Sequence, residues 1–323
     1  MIPVASVVIP TFDRAGLVGR ALQSVLAQSV PDLEAIVVDD GSTDDVRAAV
    51  GPPADPRVVL LGLARRGGPG AARNHGIRRA RAEVVAFLDS DDEWRPRMLE
   101  ALLERLGGGG DPGAAVVYCR CEVWDDRRGR PVPPGRADRA QPEGDVFERL
   151  LAGWQPRTAS VVAVRRAALL GVGGFDESLP AWVDMDLWLR LAAAGQRFLA
   201  VPEALVVKHE HAGAQVMTDP ERQTRALAAF EAKWREAWRG RRGAYRRWRA
   251  KRAVDVQYAH FLALGRALER GDRAGARAHW AAIWRQLRWA PRLPVQASAL
   301  RLLGPRGYAA LARAWRGASG RAG

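Results

Sequence analysis

The chain has 323 residues, 48% of them hydrophobic and 27% charged, which is enough to bury a sizeable core and excludes wholesale disorder. Cys119 and Cys121 are its only cysteines, too few for a disulfide framework and suited to a reducing compartment. Formal net charge is +14, but residues 221–323 hold 24 Lys and Arg against 6 Asp and Glu while the first 220 residues are slightly acidic; this excludes a uniformly basic nucleic-acid binder.

The N-terminus, MIPVASVVIPTFDR, enters a strand pattern directly and lacks the basic-then-apolar order of a signal peptide. No stretch approaches the roughly 18 apolar residues of a membrane span, so a cytosolic protein is expected. Ala5–Pro10 is an apolar, β-branched strand, followed by Leu17, Ala21, Leu22, Val25 and Leu26 at helical spacing. Leu33–Val38 is a second strand ended by DDGSTDD, Val58–Leu63 a third, and Val84–Leu88 a fourth. A helix over Gly70–Ala82 is entered through glycines, and Pro96 suits the first turn of a helix to Leu106. Then come a strand at Ala115–Trp124, a long Arg/Pro/Gly loop at Asp125–Gly144, and a strand at Ser160–Val164. A helix at Asp184–Ala194 stops at Gly195, and Phe198–Lys208 mixes strand and turn. From Glu221 the strands cease. Phe230, Trp234 and Trp238 recur at helical spacing, and three to five amphipathic helices are expected. The expected domains are therefore 1–220 and 221–323.

Alternating strands and helices predict an α/β fold around a mainly parallel sheet. In such sheets ligands bind beyond the carboxyl ends of the strands, where Pro10–Arg14, Asp39–Asp44 and Asp89–Asp92 all fall. Asp89, Asp91 and Asp92 repel one another unless a positive charge sits among them, and Mg²⁺ or Mn²⁺ with phosphate oxygens is one natural partner. A capped acidic loop is the plainer alternative. Asp39 and Asp40 exceed what an Asx turn needs and suit the N–H of a base or ribose hydroxyls. Gly67–Gly70 precede a helix whose first turn carries Arg73, a phosphate-binding arrangement that is not a P-loop. Asp184 and Asp186 point about 200° apart on one helix, so only one can face a site. His209 and His211 form a weak H-x-H metal pattern, with surface histidines the simpler account.

Taken together, VVIPTFDR, VVDDGSTDD, GGPGAARNHGI, AFLDSDDEW and VGGFDESLPAWVDMDLWLRLAAAG resemble, over about residues 3–215, the inverting glycosyltransferases of family 2 with the GT-A fold. The resemblance implies a Rossmann-like sheet with flanking helices, followed by a C-terminal helical region. It implies nucleotide-sugar contacts at Pro10, Thr11, Phe12, Arg14, Asp39, Asp40, Gly70, Arg73, Asp89 and Ser90. Asp89 and Asp91 are the family's Asp-x-Asp, with Asp91 on Mn²⁺ or Mg²⁺ and His211 near the metal or diphosphate. Asp184 falls on the general base, and Val183 stands where the family usually has Glu. The implied reaction moves a sugar, from a UDP-sugar in first place, to a glycan or lipid-linked acceptor in surface polysaccharide synthesis.

RRGAYRRWRAKR, from Arg241 to Arg252, interleaves Tyr245 and Trp248 with arginines. It suits an anionic membrane surface at the inner face, or else a helical bundle with a solvated Arg face and a Trp core. No nucleic-acid motif accompanies it. Two other classes remain open: an inactive nucleotide-binding scaffold on the same fold, and a nucleotidyltransferase, which the absent Lys-bearing glycine loop disfavours.

Overall fold

In a computed structural model the described residues are 2–51, 55–108, 111, 113–133, 141–210, 218–287 and 289. The chain divides into two compact units, Met1–Gly213 and Ala214–Gly323.

The first unit is built on β1 (Ala5–Thr11), β2 (Leu33–Asp39), β3 (Val58–Gly62), β4 (Val84–Phe87), β5 (Glu93–Trp94), β6 (Ala114–Asp125), β7 (Arg130–Val132), β8 (Val162–Arg165) and β9 (Arg197–Glu210). They form one sheet in the order β3-β2-β1-β4-β8-β6-β9-β5, with β7 on β6. The run β3-β2-β1-β4 is parallel, as is β6–β9. The pairings β4–β8, β6–β8 and β5–β9 are antiparallel. The architecture is the expected α/β one, with the parallel half confined to where helices serve as crossovers. Every residue of β1 is buried, as a strand covered on both faces must be.

Helices α1 (Ala15–Leu26), α2 (Val46–Val50), α3 (Pro69–Arg79), α4 (Met98–Gly107), α5 (Phe147–Leu151), α6 (Arg166–Gly171) and α7 (Val183–Ala193) accompany the sheet. α1 buries Val18, Ala21, Leu22 and Val25, the apolar stripe legible in its spacing. α3 lies so close to β1 that a Cβ at Gly76 would collide with Val8. The chain runs outward from β1 through β2 to β3, then returns to place β4 on the other side of β1. The crevice at the carboxyl ends of β1 and β4 is thus the topological switch point, where open α/β sheets bind ligands.

Three expectations need correction. The long loop after residue 125 is in part a hairpin, since Asp125–Gly129 turn β6 into β7. The mixed segment at 198–208 is one 14-residue strand, β9, paired along β6 with register shifts that absorb Pro202. Pro96 precedes its helix, because the Arg95 carbonyl first closes a turn onto Met98 N.

The second unit contains α8 (Pro220–Trp234), α9 (Arg242–Glu269) and α10 (Arg273–Leu287). Phe230 stacks on Trp248 at 5.4 Å, and Trp238 lies 4.5 Å from Trp248. Arg249 pairs with Glu231 at 2.8 Å and Arg252 with Asp255 at 3.0 Å, so the arginines buried in this bundle are neutralised locally. Trp248 is therefore core, and the bundle reading of the Arg/Trp segment describes its aromatic residues.

Candidate active site

The loops after β1 and β2 are joined to each other. Asp13, at φ 49°, accepts from Thr43 N at 2.7 Å, while its own N–H donates to Ser42 Oγ at 3.0 Å. Asp44 accepts from Ala15 N at 2.7 Å. Asp39 accepts from Ser42 N, closing the Asx turn. Both carboxylate oxygens of Asp40 accept backbone N–H groups, from Gly67 at 2.7 Å and Gly68 at 2.8 Å. Asp40 therefore anchors the glycine turn ahead of α3. Phe12 is covered by Arg66, whose Cζ lies 3.9 Å from the ring centroid. Pro10, Thr11, Gly70 and Ser90 are buried at the same crevice.

The acidic loop after β4 meets three cations. Arg73, from the first turn of α3, donates to Asp89, which also accepts from Thr158 Oγ1 at 3.0 Å. Arg14 pairs with Asp91 at 2.8 Å. Asp92 accepts from Ser160 Oγ at 2.6 Å. Burial would raise the Asp89 carboxyl, but Arg73 and Lys208 outweigh it and hold the group below its ordinary value. Burial pushes Asp92 up to about 6, against Lys208 and with Asp89 and Asp91 adding to the rise. Lys208 is raised in turn, because the three carboxylates outweigh its own burial. Thr158, Ser160 and Lys208 carry no sequence signal of their own; they lie beside the acidic loop only because β8 and β9 do.

Asp184 and Asp186 separate as the helical angle requires. Asp186 is fully buried and pairs with Arg190 at 2.7 Å, one turn on in α7. Asp184 remains partly exposed and acts electrostatically on Arg73, whose charged form burial opposes and Asp89, Asp184 and Asp91 together favour. Trp182 turns the chain into α7 from the left-handed region at φ 59°, a strained conformation for a bulky residue. Val183 is buried, so an apolar side chain stands where the resemblance places an acid. Asn74 ties α3 to the same segment. It accepts from Phe175 N at 2.7 Å and donates to Phe175 O at 2.8 Å and to Glu177 at 2.8 Å. A Cβ at Gly174, where φ is +70°, would collide with Asn74.

His209 is not a surface histidine. It is 7% exposed, with Nδ1 2.7 Å from Asp126 and Nε2 2.7 Å from Glu93, so both ring nitrogens are engaged. His211 lies outside the described residues. Among the described residues no three His, Cys, Asp or Glu side chains gather as a closed metal cage. One or two hard carboxylates at Asp91 and Asp89 fit Mg²⁺ or Mn²⁺, which takes few protein ligands and completes its shell with phosphate and water.

The model of the Glycosyl transferase family 2 matches residues 6–169, half of the chain. The chain belongs to this family. It is 43% identical over 109 residues to the succinoglycan biosynthesis protein ExoO of Rhizobium meliloti, covering 34% of this chain and 31% of that protein. It is 36% identical over 213 residues to a pre-mycofactocin glycosyltransferase of Mycobacterium tuberculosis, covering 64% and 42%. The chain thus spans less than half the length of these two relatives. In fold it is similar to the mannosyltransferase PcManGT from Pyrobaculum calidifontis in complex with GDP-Man and Mn²⁺, with a TM-score of 0.59, 21% identity, and 90% and 86% of the two chains covered.

Proposed function

We propose that this family 2 chain is an inverting, metal-dependent glycosyltransferase. It moves a sugar from a nucleotide-sugar donor, a UDP-sugar in first place, to a hydroxyl of a glycan or lipid-linked acceptor in surface polysaccharide synthesis. The carrying observation is the contrast on α7: Asp186 is buried on Arg190, whereas Asp184 is partly exposed and favours the charged form of Arg73, the partner of Asp89.

Asp39 and the Pro10–Phe12 loop receive the base and ribose. Arg14 and Arg73 supply guanidinium donors for the diphosphate, and Gly70 lies in the first turn of α3 beside it. Asp91, with Asp89 beside it, would hold the cation, which when bound offsets charge developing on the leaving diphosphate. Asp184 accepts the acceptor's hydroxyl proton, so that its oxygen attacks the anomeric carbon opposite the leaving group and configuration inverts. A general base of this kind contributes roughly 10²–10⁴-fold. The enzyme works from the cytoplasmic side, and the basic helical unit is its contact with the membrane.

The test is transfer from a panel of labelled UDP-, GDP- and dTDP-sugars to lipid-linked and glycan acceptors, with and without EDTA. Transfer that EDTA abolishes and Mn²⁺ restores supports the reading. Nucleotide binding without transfer would favour an inactive scaffold, and pyrophosphate release a nucleotidyltransferase.

A further inference from the structure

The imidazole of His209 has no part in the reaction described above, yet it is the middle of a line of polar contacts that ends on the acidic loop. β9 carries it, buried, beside that loop. Its Nδ1 is 2.7 Å from Asp126, just past the end of β6, and its Nε2 is 2.7 Å from Glu93 of β5. Asp126 N donates to Glu210 O at 3.1 Å, so backbone and side chain together tie the start of the β6–β7 turn to β9.

The contacts continue past Glu93. The oxygen that meets His209, Oε1, also pairs with Arg20 Nε of α1 at 3.2 Å. Arg20 Nη2 then donates to the carbonyl oxygen of Asp91 at 3.3 Å. Asp91 is thus held twice from the segment after β1: Arg14 takes its carboxylate at 2.8 Å, and Arg20 takes its backbone. The side chains of Asp126, Glu93 and Arg20 are each about a third open to water, which replaces a lost partner there, so these contacts contribute little to folding. What they fix is position. A cation of the Mg²⁺ class tolerates little error in where its ligands stand, and groups behind a ligand orient it.

We propose that His209 is a positioning residue of the cation site: clasped between Asp126 and Glu93, it holds Glu93 on Arg20 and thereby sets the place of Asp91. This role rests on Asp91 being the ligand of a divalent cation.

The test is calorimetric titration of the full chain with Mn²⁺ at saturating UDP or GDP, whichever the unaltered chain binds. His209→Phe keeps a buried ring without its nitrogens. It should weaken Mn²⁺ binding about tenfold or more, while nucleotide affinity measured in EDTA stays unchanged. A lower melting temperature with Mn²⁺ affinity intact, or an equal loss of nucleotide affinity in EDTA, would overturn the proposal. Asp126→Asn, at an exposed position, makes the same test should His209→Phe not fold, and should weaken Mn²⁺ binding in the same sense. Combined with Arg20→Gln it should lose less than the two losses multiplied, because both act through Glu93; independent losses would also overturn it. An unaltered chain that binds no Mn²⁺ with nucleotide overturns the role of Asp91 and that of His209 with it. An unaltered chain that binds Mn²⁺ no better than the folded variants overturns the role of His209 alone.

Discussion

Asp184 and Asp186 are two residues apart on one helix and have opposite surroundings. Spacing alone says that they diverge; it does not say which of them faces the crevice. Asp186 is fully buried against Arg190, so neutralising it removes one partner of a desolvated ion pair, a loss of about 3 kcal/mol or more. Asp186→Asn should therefore lower the melting temperature by several degrees. Asp184→Asn should leave melting and donor binding in place while transfer falls by roughly 10²-fold or more. Measuring both variants by thermal unfolding and by transfer decides the assignment: if Asp186→Asn melts normally and alone abolishes transfer, the roles are reversed. Asp40 carries a similar lesson. Its pattern suggests a ligand contact, and the structure adds a role the pattern does not show: both its oxygens hold the backbone of the glycine turn, because that turn lies within reach of the β2 end.

At the scale of elements, the Arg-rich start of α9 hides a core residue. Trp248 is fully buried between Phe230 and Trp238. Truncating Trp248→Ala should destabilise the helical unit by about 3–5 kcal/mol, while Arg246→Gln on the exposed face should change it little. Chemical denaturation followed by tryptophan fluorescence measures both. The same unit contains an acid-sensitive contact. His260 is pushed down to about 4, first by burial and then by His279 and Arg285. A base depressed in this way binds fewer protons folded than unfolded. Its contribution is present above the ordinary value of 6.5 and is lost as pH falls towards 4. Melting of the helical unit should drop between about pH 7 and pH 4.5, and His260→Gln should flatten that slope; an unchanged slope would place the sensitivity elsewhere.

At the scale of the whole molecule, part of the charge excess of the last third lies, among the described residues, on an exposed face of α9. Arg241, Arg242, Arg246, Arg247 and Lys251 are exposed, and Val254, Tyr258 and Trp284 show 41%, 39% and 52% of their surface. Arg247, Lys251, Val254 and Tyr258 recur at i, i+4, i+7 and i+11, one stripe of α9. Among the described residues no helix is long and apolar enough to cross a membrane. The proposed membrane contact rests on this exposed basic stripe. The chain should sediment with anionic vesicles far more than with neutral ones, and added salt should release it, as screening over about 8 Å requires. Replacing Arg241, Arg242, Arg246 and Arg247 by Gln should have the same effect. Sedimentation indifferent to lipid charge would end the electrostatic account.

The sequence by itself determined the strand–helix alternation, the three loops at the strand ends, the family, and the division between a near-neutral body and a basic, helical remainder. These follow from local information: buried β-branched runs, glycine and Asx turns, helical spacing, and charge counts. Tertiary structure alone decided which of the two helical aspartates is buried in an ion pair. It also gave the acidic loop its partners: Ser160 and Thr158 reach Asp89 across 71 and 69 residues of chain. It placed Trp248 in the core, and so chose for that residue between the two readings of the Arg/Trp segment. The physical reason is common to all three. A side chain's role depends on the atoms it meets, and those atoms are supplied by elements whose distance in sequence leaves no periodic trace.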